Sequence, residues 1–376
     1  MTSPEPESPN ANPASLPHPT GDGPEKSAPA SRHSTFWRWF GFALKVLVCG
    51  GLLYYVLATK LNEKPTEGMK SPKEELEALF LHSPYLLCVA IAAYAVQIMI
   101  GAQRLRFLLA AQGARLPYLT MLRLCYLGAF FDPIGFTSVG GDAVKAVYLA
   151  RATPRGQRVE TVSVLVLDRL MGLLGLLTLT LLVALWHLGA LSANPEVQPY
   201  LKWLFMAAGF LYVGTGLLLS KKFYSIAPLQ FVMHKFPGGS IFDRAYFSLQ
   251  KYRHRPAALL LGLSLSLCVH TVGIVAGYVL AMGMGEDPAF GPFLVAWFIS
   301  NFICSFAPFM GVGVGQWLYG PIFKSIANME HGFVLATAVQ ATCMLAKLPG
   351  LLAWLVSREQ LSQDAGAKKS EVKGQK

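Results

Sequence analysis

Apolar runs close to the ~20 residues needed to cross a bilayer recur along this chain, and one of them is interrupted in a way few folds tolerate. From Tyr126 to Leu177 a short apolar segment breaks at Asp132-Pro133 and passes through Gly140-Gly141-Asp142. It resumes with Lys145, Arg151, Arg155 and Arg158, then enters a long apolar helix carrying Asp168-Arg169 in its interior. A charged pair in a segment otherwise suited to lipid is costly unless it faces protein, water or substrate, which makes it a functional candidate. Non-helical backbone at membrane depth carries the same requirement, because it persists only where it is buried in protein or lines a cavity. The chain therefore reads as a polytopic membrane protein with a polar site built around a broken helix.

Composition agrees with that reading: 53% of residues are hydrophobic, 14% are charged, and the mean hydropathy is +0.43. The net charge of +11 would suit nucleic acid, but Lys and Arg lie mostly in loops between apolar runs, where the positive-inside rule places them. No nucleic-acid partner is expected. Cys49, Cys88, Cys125, Cys268, Cys304 and Cys343 lie far apart in apolar runs and read as small buried hydrophobes, neither a disulfide framework nor a metal site.

Loop charges set the expected topology. Residues 1–35 are rich in Pro, Ser, Ala and Asn and read as a disordered cytoplasmic tail. A first span covers Phe36 to Thr59. The loop from Lys60 to Ser83 holds five Glu against four Lys, includes a surface-helix start at Pro72-Lys73-Glu74-Glu75-Leu76, and is assigned outside. Further spans are expected from Pro84 to about Gln103, then over 159–187, 200–220, 257–285 and 332–357, with a basic cytoplasmic tail over 358–376. Two apolar regions break the alternation. Residues 118–145 should have both ends inside and 289–328 both ends outside, so each reads as a re-entrant hairpin of half-helices. Pro133 to Gly140 and Pro308 to Gly315 share one spacing, as opposed broken helices in inverted halves of a transporter would. Two ordinary spans kinked by Pro are the plainer alternative.

Residue chemistry leaves several roles open. Lys145, Arg151 and Arg104 suit a lipid phosphate at the interface, or act as topology signals that snorkel. Gly140-Gly141 can present backbone N–H groups to an anion at a helix start, or form a turn needing positive φ. Asp142 can cap the following half-helix, meet a cationic headgroup, or pair with an arginine such as Arg169. Asp168 and Arg169 are adjacent, so on a helix they point about 100° apart and each needs its own partner. Gln97 and His270, mid-span, read as bridges between helices. The Gly311-x-Gly-x-Gly315 run lacks the Lys and Ser/Thr of a phosphate loop. No His/Cys/Glu cluster has metal-ligand spacing, so neither cofactor nor metal is expected.

The run Pro133-Ile-Gly-Phe-Thr-Ser-Val-Gly140-Gly-Asp142-Ala-Val-Lys145, followed by Ser163-Val-Leu-Val-Leu-Asp168-Arg169, resembles the signature of the lysylphosphatidylglycerol synthase transmembrane, or flippase-like, family. Arg104-Leu-Arg106 is similar to its Arg-x-Arg helix end, and Pro308-Phe-Met-Gly-Val-Gly313-Val-Gly315-Gln316 to its second, Gly-rich motif. The resemblance covers about residues 40–357. It implies a bacterial inner-membrane domain that binds and translocates a lipid headgroup, with Gly313, Gly315 and Gln316 joining the residues named above. Many relatives have Arg in place of Lys145 and Glu in place of Gln316, so any proton coupling through that acid is not carried over. The short tail after Ser357 leads us to expect a translocase without a synthase domain, hence a transporter rather than an enzyme. Its expected partners are a membrane lipid and a separate lipid-modifying enzyme. An integral membrane glycosyltransferase, with Asp142 or Asp168 as base, and a non-transporting partner of such an enzyme are the rivals.

The resulting expectation is an all-α polytopic membrane protein of about six full spans and two opposed re-entrant hairpins, arranged as an inverted repeat, with both termini cytoplasmic. Single-cysteine labelling in a cysteine-free background should find positions 155 and 251 protected from an impermeant reagent and positions 67, 195 and 287 accessible. Labelling of position 155 from outside would remove the first hairpin from this topology.

Overall fold

Ser71 starts the helix Pro72–Glu77 through a reciprocal cap: Glu74 N–H donates to the Ser71 hydroxyl at 3.2 Å, and Ser71 N–H donates to the Glu74 carboxylate at 2.8 Å. The protein is seen in a computed structural model that describes residues 71–132, 140–193, 195, 197–220, 239–306 and 314–355, with Gly51, Tyr54 and Ala58. Apart from those three residues the expected first span lies outside the described residues, as do both tails and residues 133–139 and 307–313 of the two breaks, Gly313 included.

The elements are α1 (Pro72–Glu77), α2 (Pro84–Ala111), α3 (Tyr118–Phe131), α4 (Gly140–Ala152), α5 (Arg158–Trp186), α6 (Leu188–Ala193), α7 (Gln198–Leu218), α8 (Gly239–Gln250), α9 (Pro256–Gly283), α10 (Phe290–Phe306), α11 (Val314–Ala327) and α12 (Gly332–Lys347). Among the described residues no strand occurs. Among the described residues five helical segments are long and apolar enough to cross a membrane: Pro84–Ala111, Arg158–Trp186, Gln198–Leu218, Pro256–Gly283 and Gly332–Leu355. The chain is an all-α polytopic membrane protein. Trp186, Trp203 and Phe210 stand on the outside of the bundle, the pattern of surfaces that meet lipid rather than water.

Pro begins both α2 and α9, where its missing N–H costs nothing. At the other end of α9, Gly285 takes φ +80°, and the Glu286 N–H reaches back to the Ala281 carbonyl at 3.1 Å. That left-handed residue closes the helix and turns Glu286 toward the bundle. The second span is longer than its sequence suggested: α2 runs on through Arg104 and Arg106 to Ala111. Arg104 lies inside the helix because its charge is paired there, not because the helix stops at it.

The centre of the bundle is α2, α5 and α9. Contacts of Gly283 with Leu86, Gly273 with Gln97 and Gly262 with Leu108 run in opposite order along the two chains, so α2 and α9 are antiparallel. Helix α5 runs parallel to α9, and Gly175 lies directly against Ser266, whose backbone carbon is 3.1 Å from where a Cβ would stand. Two apolar cores flank this centre. One gathers Leu280, Phe293, Trp297, Phe323 and Leu335, the other Leu108, Met121, Val164, Leu249 and Tyr252. Between them the three helices carry polar groups: Gln97 Nε2 donates to the Val269 carbonyl at 2.6 Å and His270 Nε2 meets the Gly172 carbonyl at 3.0 Å. Both residues bridge helices.

Helix α8 seals one end. Arg244 spans Glu160 at 3.0 Å and the Gly156 carbonyl at 2.8 Å, and Tyr252 donates to the Leu108 carbonyl at 2.5 Å. Two helical pairs complete the fold, α3–α4 and α10–α11. In the second, Phe293 meets Phe323 and Trp297 meets Tyr319, an antiparallel register that brings α10 in and α11 out at the same end. The cysteines are more varied than expected: Cys125 is buried, but Cys88 and Cys268 are exposed, and all five described are free thiols.

The α5–α9 approach supplies a test. Gly175→Ala would place a methyl inside Ser266 and push the helices apart, at a cost of about 1–3 kcal/mol. Thermal unfolding in detergent should show this loss, whereas Gly209→Ala, where a Cβ meets nothing within 4 Å, should not.

Candidate functional site

Six charged side chains converge where α2, α3, α4 and α5 meet. Asp168 and Arg169 stand about 15 Å along α5 from its start. Their side chains diverge around the helix, and each has a different partner. Arg104 on α2 donates through Nε to Asp168 Oδ1 at 2.7 Å and through Nη1 to Ser266 Oγ at 2.9 Å. Ser266 in turn donates to the Gly262 carbonyl at 2.8 Å. The guanidinium lies over Gly172, whose missing side chain leaves the room it needs. This triad is interior, with Arg104 and Asp168 side chains 11% and 8% exposed.

Arg169 faces the other way. Its Nε bonds Asp142 Oδ2, and its Nη2 lies 3.7 Å from Asp132 Oδ1. Lys145, one turn along α4, holds the second oxygen of Asp142 at 2.9 Å. Asp132 also accepts the Gly141 N–H at 3.2 Å. The start of α4 is thus capped by Asp132 from the end of α3, while Asp142 is spent on two cations. Gly141 is not in the positive-φ region. It is required for approach: a Cβ there would overlap the Gly128 carbonyl and the Asp132 carboxylate, and a Cβ at Gly128 would strike the Lys145 stem. Two glycines let α3 and α4 close, and closure brings Asp132 to the site.

With all groups ionised, Asp132, Asp142 and Asp168 balance Arg104, Lys145 and Arg169. Pairing of this kind is what permits so much charge at membrane depth. Arg169 is the most open of the six, with its side chain 44% exposed against 11% for Lys145. A guanidinium so placed can donate a fork of charge-assisted bonds to a planar or tetrahedral anion.

The expected site residues divide accordingly. Arg104, Gly141, Asp142, Lys145, Asp168 and Arg169 come together, with Gly140 opening α4 beside them. Arg151 is exposed in the last turn of α4, about 13 Å from Asp142 along the helix. Gly315 and Gln316 are buried in the first turn of α11, in the other helical pair. Two participants were not singled out from sequence as site residues, Asp132 and Ser266. Asp132 carried a signal, as the last charge before the break, whereas Ser266 is an ordinary serine in an apolar run.

With the fold and geometry in place, comparison with known proteins is informative. The family model described as the lysylphosphatidylglycerol synthase TM region matches residues 42–346. No curated protein matches the chain. The chain belongs to that family, and the match contains all six charged residues.

The buried pair gives a measurable consequence. Asp168→Ala strands Arg104, rather than Arg169, in the interior and should cost about 3–5 kcal/mol. Asp168→Asn retains one hydrogen bond to Arg104 and should lose less. Removing both charges, Arg104→Met with Asp168→Leu, should recover stability relative to Asp168→Ala in detergent unfolding; failure to recover would show that the pair is not the coupled unit described.

Proposed function

We propose that this chain translocates a phospholipid, or a lipid-linked intermediate, between membrane leaflets. The headgroup phosphate exchanges with Asp142 for the guanidinium of Arg169. The observation that carries this reading is the unequal exposure within a charge-balanced cluster: Arg169 is 44% exposed, while its carboxylate partner is also held by the buried Lys145. A phosphate taking Arg169 leaves Asp142 paired with Lys145 and Asp132 still accepting the Gly141 N–H, so neither carboxylate loses every polar partner. Membership of a family of membrane lipid proteins supports a lipid as the source of that phosphate.

In this reading α3–α4 and α10–α11 are opposed re-entrant hairpins in the inner membrane, with both termini cytoplasmic. Gly141 lets the two halves of the first hairpin close beside the headgroup, and Gly140 opens the second half. Gly315 and Gln316, with Gly313, serve the second hairpin in the corresponding place, and Arg151 attracts anionic lipid at the base of the first. Arg104 and Asp168 position α5 rather than touch the headgroup. The lipid itself is produced by a separate enzyme. The transferase alternative gains no observation, since Asp142 and Asp168 are both engaged by cations and neither has the character of a general base.

The test is reconstitution. Tag-free protein in liposomes should move a fluorescent phospholipid across the bilayer without altering it covalently. Arg169→Gln should reduce the rate about tenfold or more, the worth of one lost charge-assisted bond, at unchanged expression and folding. A parental rate in Arg169→Gln, or turnover of a sugar nucleotide by the parent, would sink the proposal.

A further inference from the structure

At the end of the bundle away from α8, three potential metal ligands converge from three separate elements. Glu75 lies on α1, Glu286 follows α9, and His331 is the residue before α12. One donor atom from each lies within 4.8 Å of the other two. Glu75 is 2% exposed, and its Oε1 is 2.6 Å from His331 Nδ1. The imidazole also makes an edge-to-face contact with Phe333. A cavity of about 270 Å³, walled by Glu286, Asp287, Asn328 and Met329, opens beside the cluster.

We infer that Glu75, Glu286 and His331 form a binding site for a zinc-class divalent cation. Charge and donor type both point there. Two carboxylates face one imidazole, so the cluster keeps net negative charge even when His331 is protonated. One nitrogen and two carboxylate oxygens make a donor set that zinc accepts at about 2.0–2.2 Å, leaving a fourth position for water. The imidazole disfavours calcium and magnesium, which take oxygen ligands. Without metal, a proton between Glu75 and His331 holds two donors together; zinc displaces that proton, and the ligands spread to the wider spacing of tetrahedral coordination. The cavity beside Glu286 gives an entry path and room for the water. Backbone geometry prepares the site: the capped α1 fixes Glu75, and the Gly285 turn fixes Glu286. A bound ion would tie α1, the end of α9 and the start of α12 into one unit, independently of the charged cluster about two-thirds of a helix away.

This predicts metal binding without reference to transport. Tag-free, chelator-stripped full-length protein in detergent should bind one more Zn²⁺ by chelator competition than Glu286→Gln or His331→Gln does. It should also show a Zn²⁺-dependent rise in thermal midpoint that both variants lose, while Ca²⁺ and Mg²⁺ produce none. Glu286→Gln has the decisive weight, because Glu286 takes no part in the Glu75–His331 bond and its loss spares that contact. Equal Zn²⁺ stoichiometry and affinity in the parent and in Glu286→Gln, or no zinc bound by the parent, would overturn the assignment.

Discussion

The Arg104–Asp168 ion pair is the contact on which the arrangement of this bundle turns. It crosses from α2 to α5 and extends through Ser266 to α9, so one guanidinium fixes three long helices in a single register. In lipid, apolar side chains give helices little reason to prefer one neighbour over another, because the solvent is as apolar as they are. A buried charge removes that freedom. Only the register that puts Asp168 against Arg104 avoids a bare ion, and Gly172, Gly175 and Gly262 are small where the helices must then approach. Desolvation makes such a pair a poor source of net stability. Its value is specificity, since mispaired arrangements are penalised more than the correct one is favoured.

That fixed centre presents Arg169. Because it follows Asp168 directly, locking the carboxylate toward Arg104 turns the next side chain toward α3 and α4, where Asp142 and Asp132 receive it. The hairpin then has to come close enough to bring two carboxylates and Lys145 to one spot, which explains the paired glycines at 128 and 141 better than any need for a left-handed turn. The two charges are consecutive in sequence but differently placed: Asp168 sets the frame and Arg169 is displayed from it.

Much of this was legible in the chain. Hydropathy and loop charge located all five described spans to within a few residues, apart from the overlong α2. The geometry of adjacent helical residues required separate partners for Asp168 and Arg169, and polar side chains in mid-span were readable as bridges. Partner identity was not readable, for a physical reason. Asp168 lies 64 residues from Arg104, and Arg104 lies 162 residues from Ser266, so no local periodicity links them. Arg104 looked like a helix end because an arginine usually marks one, and only tertiary pairing overrides that preference. Asp132 was visible as a break in hydropathy, but its capping of Gly141 depends on how tightly α3 and α4 close. Glu75 and His331, 256 residues apart, show the same limit at the far end of the bundle.

Cation sharing at Asp142 also bears on how a charged site could change state inside a membrane. A carboxylate with a single cationic partner cannot release it without becoming a bare ion, at a cost large enough to forbid the step. Asp142 has two, one buried on its own helix and one half-exposed on another. The buried lysine moves with Asp142 as part of α4, whereas Arg169 belongs to the fixed α2–α5–α9 frame. Motion of the hairpin relative to that frame therefore breaks the contacts of Arg169 with Asp142 and Asp132; an incoming anion neutralises Arg169 on the frame, while on the hairpin Lys145 stays with Asp142 and the Gly141 N–H with Asp132. Under the proposed exchange, the lipid phosphate is itself the counterion that permits the hairpin to move. Empty protein would then be held in place by its own ion pair, and movement would be coupled to occupancy by electrostatics without a separate gate.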